Sequence, residues 1–99
     1  MAITQLEVEQ LEKAASMLKA IAHPMRISIL NHLDNGKRLS VTQIHETLDI
    51  EQSTASHHLG ILRDKNVLVA KREGKNTFYS IKFERLNTLI ECISKCACE

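Results

Sequence analysis

Two groups of side chains in this sequence have the types and the spacing to do chemistry. The first is Gln52, Ser53, Ser56 and His57, inside the stretch 51–66. These are an amide, two hydroxyls and an imidazole with no fixed charge among them. Opposite them Ala55, Leu59 and Leu62 recur at i, i+4 and i+7, one apolar stripe at helical period. A helix face meant only for solvent carries Lys and Glu. One built of hydroxyls, amides and imidazoles near a helix N-terminus suits base edges and phosphate oxygens. The second group is Cys92, Cys96 and Cys98. Cys92 and Cys96 are four apart and share a helix side. Three thiolates there suit a soft, low-coordination ion such as arsenite, antimonite or Cu(I). Zinc wants a fourth ligand, from Glu99, a His or a partner subunit. The same cysteines can also serve as small apolar residues, lie in a frayed end, or oxidise without binding metal.

The elements around the first group position it. Ser40-Val41-Thr42-Gln43 has the S-x-x-Q form of a capping box and starts a helix whose inner stripe is Val41, Ile44 and Leu48. Asp49-Ile50-Glu51 is the turn that follows, with Ile50 plugging between the helices. This predicts a helix-turn-helix over 41–66. Glu51 is a poor N-cap, so Ser53 is the candidate cap of a slightly shorter helix. After Asn66 the period changes. Val67 to Arg72 reads as a strand, Glu73-Gly74-Lys75-Asn76 as a turn and Thr77 to Ile81 as the return strand. The hairpin, 67–81, is a wing whose Lys71, Arg72 and Lys75 suit a minor groove or flanking phosphates. Between Gln52 and Lys75 five basic residues, Arg63 and Lys65 among them, face Asp64 and Glu73. That is a local charge of +3 in a chain whose formal net charge is +1. The expected contacts with double-stranded DNA are Gln52, Ser53, Thr54, Ser56, His57, His58, Arg63, Lys71, Arg72 and Lys75.

A first helix is expected over about 4–21, with Val8, Leu11, Ala15 and Leu18 in its stripe. Pro24 breaks it and suits the first turn of a second helix, Met25 to about Leu33. Asp34-Asn35-Gly36 stops that one, with Gly36 as the left-handed cap. Arg26 near its start reads equally as a phosphate contact or half of a salt bridge; His23 and His45 read as surface or capping residues. A last helix over about 84–97 carries Leu86, Leu89, Ile90, Ile93 and Ala97. In 99 residues with no Trp, one Tyr and two Phe, burial is limited. Pairing of the first and last helices across a dimer axis follows, through Leu11, Leu18, Leu86, Leu89, Ile90 and Ile93. The expected fold is a single winged helix-turn-helix domain over 1–99, mainly α with a β-hairpin wing, of about five helices and two strands, dimeric.

Some classes are disfavoured. No run approaches about 18 unbroken apolar residues, and the first residues lack the pattern of a signal peptide. A cytoplasmic protein with no membrane partner and mostly reduced cysteines is the expectation. No nucleophile–base pair, phosphate loop or paired catalytic carboxylates stand out, so an enzyme is not expected. A winged helix whose basic wing binds an acidic protein is the alternative from another class.

Three stretches together resemble the ArsR/SmtB family of bacterial winged-helix repressors. They are Leu18-Lys19-Ala20-Ile21-Ala22-His23-Pro24-Met25-Arg26-Ile27-Ser28-Ile29-Leu30, Gln52-Ser53-Thr54-Ala55-Ser56-His57-His58-Leu59-Gly60-Ile61-Leu62-Arg63, and Thr77-Phe78-Tyr79-Ser80-Ile81. The resemblance implies a homodimer that represses from a roughly palindromic operator until a small inducer changes its affinity. It also implies that Gln52, Ser53, Ser56, His57 and His58 lie at or near DNA. His58 falls closer to the buried stripe, so contact and structural histidine stand side by side. For the inducer, one class uses Cys-x-Cys at the third helix, where this chain has Ser40 and Thr42. Another uses carboxylate and histidine pairs on the last helix, where this chain has Phe83 and Arg85. A third needs a Cys on the second helix, which has none. Cys92, Cys96 and Cys98 remain, and some arsenic-responsive members do place thiols on the last helix. The expected inducer is As(III), Sb(III) or another soft metal ion, with no resident cofactor. A family regulator with a redox or sulfur cue, or with no ligand, is the alternative.

Overall fold

Glu7 shows why the first helix begins where it does: the Gln10 side chain reaches back and accepts its backbone N–H at 2.9 Å. The computed structural model describes residues 7–99, so the expected start at Thr4 lies outside the described residues. Helix α1 spans Val8–Ile21, α2 Pro24–His32, α3 Val41–Leu48, α4 Gln52–Asp64 and α5 Glu84–Ala97. Pro24 occupies the first turn of α2, where its missing N–H costs nothing, and His23 Nδ1 accepts the Met25 N–H at 3.1 Å as the cap. The stop after α2 uses two left-handed residues rather than Gly36 alone. Asn35 has φ 62° and Gly36 φ 76°, within a 3₁₀ turn over Asp34–Gly36.

The sheet has three strands, not two. β1 is Leu39–Ser40, β2 Leu68–Glu73 and β3 Asn76–Ile81, in the order β1-β3-β2 and antiparallel throughout. β1 is too short to show an alternating pattern. It exists because β3 offers it an edge, with Leu39 opposite Tyr79 and Ser40 opposite Phe78. β2 and β3 pair from Leu68–Ile81 to Glu73–Asn76, which leaves only Gly74 and Lys75 as the loop. Gly74, at φ 62°, takes the positive angle that a two-residue hairpin needs.

The core is aliphatic. Ile29, Leu30, Leu33, Ile44, Leu59, Leu62, Val67 and Leu68 are its largest fully buried side chains. Together they bring α2, α3, α4 and the root of the wing onto one centre. Tyr79 closes it from β3 and Ile90 from α5. Ile90, expected at a dimer interface, is only 4% exposed within the single chain, so it belongs to the protomer's own core. Leu86 also packs against that core, whereas Leu11, Leu18 and Ile93 are 53%, 55% and 51% exposed.

Candidate nucleic-acid interface

Helix α4 has two unlike faces. Ala55, Leu59 and Leu62 are fully buried, while Gln52, Ser53, Thr54, Ser56 and His57 are all exposed. The buried stripe bolts the helix to the core, so the five polar side chains are presented outward on a rigid element. α3 leads into it through Asp49, which adopts a left-handed φ of 55°. The turn is clasped from both sides: the Ile50 N–H donates to His45 O at 3.1 Å, and His45 Nδ1 donates back to Ile50 O at 3.2 Å. Ser40 and Gln43 form the expected capping box of α3, with bonds of 2.9 and 3.1 Å. The expected cap at Ser53 is not what forms. α4 begins at Gln52 with Glu51 as its N-cap, and Glu51 makes no side-chain bond to the helix.

His58 departs from the expected DNA contacts. It is 8% exposed and lies on the buried side of α4 beside Leu59. Arg26 Nε donates to His58 Nδ1 at 3.1 Å, and Arg26 Nη1 donates to Ala20 O, also at 3.1 Å. Arg26 makes no salt bridge among the described residues and serves instead as an internal tie. Burial, then the basic neighbours His23, Arg26 and His57, push the His58 pKa below the usual histidine value. The signal was in the spacing: 55, 58, 59 and 62 together make one helical stripe.

The wing tip stands beside the start of α4. Gln52 and Lys75 line one polar cleft of about 190 Å³, together with Thr42, Asn76 and Thr77. Arg72 and Lys75 are exposed and make no ion pair among the described residues. Lys71 lies 3.9 Å from Glu73, and Arg63 bonds Asp64 at 3.2 Å. Glu73 is held by Arg38, a residue outside the sequence-based site. The guanidinium makes two bonds to the Glu73 carboxylate, at 2.8 and 2.9 Å, and lies 4.7 Å above the Phe78 ring. Its hydrogen bond holds the Glu73 carboxyl below the usual carboxylate range. No local pattern links residues 38 and 73; only the sheet brings them together.

A helix-turn-helix with a basic hairpin beside its exposed polar face matches known proteins. A model of a helix-turn-helix domain matches residues 21–71. The chain is 41% identical over 90 residues to the transcriptional repressor PagR of Bacillus anthracis, covering 91% of this chain and 90% of that one. The PagR crystal structure superposes with a TM-score of 0.80 at 42% identity, over 88% of this chain and 99% of that chain. A homodimeric winged helix-turn-helix DNA-binding domain from Mycobacterium bovis, described as a possible ArsR-family regulator, gives a TM-score of 0.84. It is 27% identical and covers 100% of this chain and 91% of that one. The chain belongs to the ArsR/SmtB family. It is a DNA-binding transcriptional regulator of the winged helix-turn-helix type. A further relative, the transcriptional activator HlyU of Vibrio cholerae, is 33% identical over 88 residues, covering 88% of this chain and 80% of that one.

Within this ArsR/SmtB fold the remaining expected residues fall into two places. Leu18, Leu89 and Ile93 border a wholly apolar cleft of about 250 Å³ between α1, α2 and α5, and Leu11 continues the exposed side of α1. Cys92, Cys96 and Cys98 are free and exposed on and just after α5. They are not drawn into one cluster: among the described residues no three His, Cys, Asp or Glu side chains are placed to hold a metal ion. Cys98 follows the end of α5, its N–H bonded to Lys95 O at 3.1 Å. The three thiols expected to act together are thus not gathered within one chain; Cys92 and Cys96 lie one turn apart on α5. Among the described residues no helix is long and apolar enough to cross a membrane.

Proposed function

We propose that this ArsR/SmtB regulator acts as a homodimer on a two-fold operator in duplex DNA, represses from it, and is released by a soft, thiol-directed ligand at α5. The observation that carries the DNA reading is α4 itself, with one face wholly buried and the other a set of uncharged hydrogen-bonding groups. Gln52, Ser53, Ser56 and His57 read base edges in the major groove. Thr54, Arg63, Lys71, Arg72 and Lys75 hold phosphates on either side of it. The uncovered apolar sides of α1 and α5 are the dimer faces, a reading supported by the homodimeric M. bovis relative. A two-fold axis then sets the two α4 helices about one DNA turn apart. Repression rather than activation follows PagR, whose identity to this chain exceeds that of HlyU.

For the inducer, Cys92 and Cys96 share one side of α5 and supply two soft donors. They suit a two-coordinate soft ion, or arsenite with a third ligand from outside this chain; Cys98 is available only as an extra thiol. Each thiol gives up its proton on binding. The consequence is a change on the same helix that carries the dimer face, and so in the spacing of the two reading helices.

The test is fluorescence anisotropy on a duplex enriched from a random library by the wild-type protein. Gln52→Ala with His57→Ala lowers affinity about 100-fold or more while the dimer mass is unchanged. Unchanged affinity overturns the role of α4. With arsenite added, wild type leaves the duplex and Cys96→Ser stays; equal release of both removes α5 as the sensor.

A further inference from the structure

Arg26 ties three helices together. From the first turn of α2 it donates one N–H to Ala20 O in the last turn of α1 and another to His58 Nδ1 on α4, each at 3.1 Å. A guanidinium keeps its protons at any working pH and can only donate. His58 Nδ1 is therefore a bare acceptor, and the ring's single proton sits on Nε2. Once charged, an imidazole has an N–H at both nitrogens and nothing left to accept with. Taking a proton from solvent onto Nδ1 must break the bond to Arg26. It also sets a second cation against the guanidinium in a place that is 8% exposed.

Among the described residues nothing acting on His58 offsets that charge. The groups acting on His58 are His23, which caps α2 with its ring 4.8 Å away, Arg26 itself, and His57 at 5.6 Å on the reading face. All three are bases. The last of them is an expected DNA contact, so the tie ends one residue from the bases it would help to place.

We propose that Arg26 and His58 are positioning residues forming a proton-sensitive latch, in which neutral His58 fixes α4 against the α1–α2 corner and proton uptake frees it. Affinity for DNA then falls as pH falls. The proposal rests on the DNA-binding reading above and adds to it a link from α1, a dimer helix in that reading, to α4.

Two measurements decide it. The first is the ¹⁵N ring spectrum of the histidines in the free protein, followed with pH. His58 shows Nδ1 unprotonated and Nε2 protonated at neutral pH, and titrates below an ordinary histidine. A proton found on Nδ1 at neutral pH overturns the latch. The second is affinity for the enriched duplex between about pH 7.5 and 5.5, comparing wild type with His58→Gln. The Gln amide oxygen can accept from Arg26 and never titrates. Wild type loses about tenfold more affinity than His58→Gln over that range. Matching pH profiles overturn the proposal. If His58→Gln does not fold, Arg26→Met replaces it: with the donor and its charge gone, His58 titrates closer to the ordinary value, and an unmoved titration counts against the latch. The ring titration needs no DNA. A protein that binds no duplex refutes the proposed function while the rings still decide the latch.

Discussion

Removing the two free charges of the wing, with Arg72→Ala and Lys75→Ala, gives a number to check. Four basic residues are assigned to phosphates, but two are partly engaged within the protein, Arg63 with Asp64 at 3.2 Å and Lys71 with Glu73 at 3.9 Å. Arg72 and Lys75 have no such partner among the described residues, so the proposed dimer offers about four free charges. Each neutralised phosphate contributes about −0.9 to the slope of log affinity against log salt, giving about −3.6 from these alone. Raising KCl from about 50 to about 200 mM then weakens binding about 150-fold. If Arg63 and Lys71 leave their carboxylates on binding, the slope approaches about −7. The double variant should lose about 3.6 from the slope in either case, and what remains measures Arg63 and Lys71. The assay is anisotropy of a labelled duplex across a KCl series, with dimer mass checked by sedimentation. A double variant with the wild-type slope refutes the placement of the wing on phosphates. A wild-type affinity indifferent to salt would favour the reading as a protein-interaction module.

Two glycines should respond oppositely to alanine, although an added Cβ meets nothing within 4 Å at either. Gly60 lies inside α4, so Gly60→Ala should stabilise by about 0.5–1 kcal/mol and raise Tm by about 2–8 °C. Gly36 sits at φ +76°, so Gly36→Ala should cost about 1 kcal/mol; calorimetric shifts of the same sign would refute the backbone argument. Stability should also depend on pH through His58, whose pKa is lowered chiefly by burial. The unfolded chain takes up the proton first, so stability is level above the ordinary histidine value and declines as pH falls toward the lowered one. Thermal unfolding at about pH 7.5 and 5.5 should show a larger drop for wild type than for His58→Gln.

How much of this could be read from the sequence depended on how far apart the partners lie. The capping box of Ser40 and Gln43 is complete within four residues, and its bonds form as the pattern predicts. The turn at Asp49 and Ile50, the hairpin around Gly74 and the helix restart at Pro24 are equally local. Arg38 and Glu73 are 35 residues apart and meet only because β1 joins the sheet. Arg26 and His58 are 32 apart, and the geometry gives Arg26 a role that its position near a helix start did not suggest. Glu51 caps α4 in place without a side-chain bond, because the packing of Ala55 and Leu59 sets the start of the helix more strongly than the cap does. The cysteines were legible as i and i+4 neighbours. That they do not gather into a three-ligand site depends on where α5 ends, beyond Cys96.

Ser40 belongs to two elements at once. It ends β1, opposite Phe78, and its hydroxyl accepts the Gln43 N–H at 3.1 Å to begin α3, while Arg38 two residues earlier is fastened to Glu73. Wing and helix-turn-helix should therefore turn as one stiff body. A caliper that cannot change its own angle leaves the bending to whatever it grips. On duplex DNA the cost of matching groove width and twist falls on the base-pair steps between the jaws, and sequences already shaped to fit are gripped more tightly. Base pairs that no side chain touches would then enter this regulator's preference.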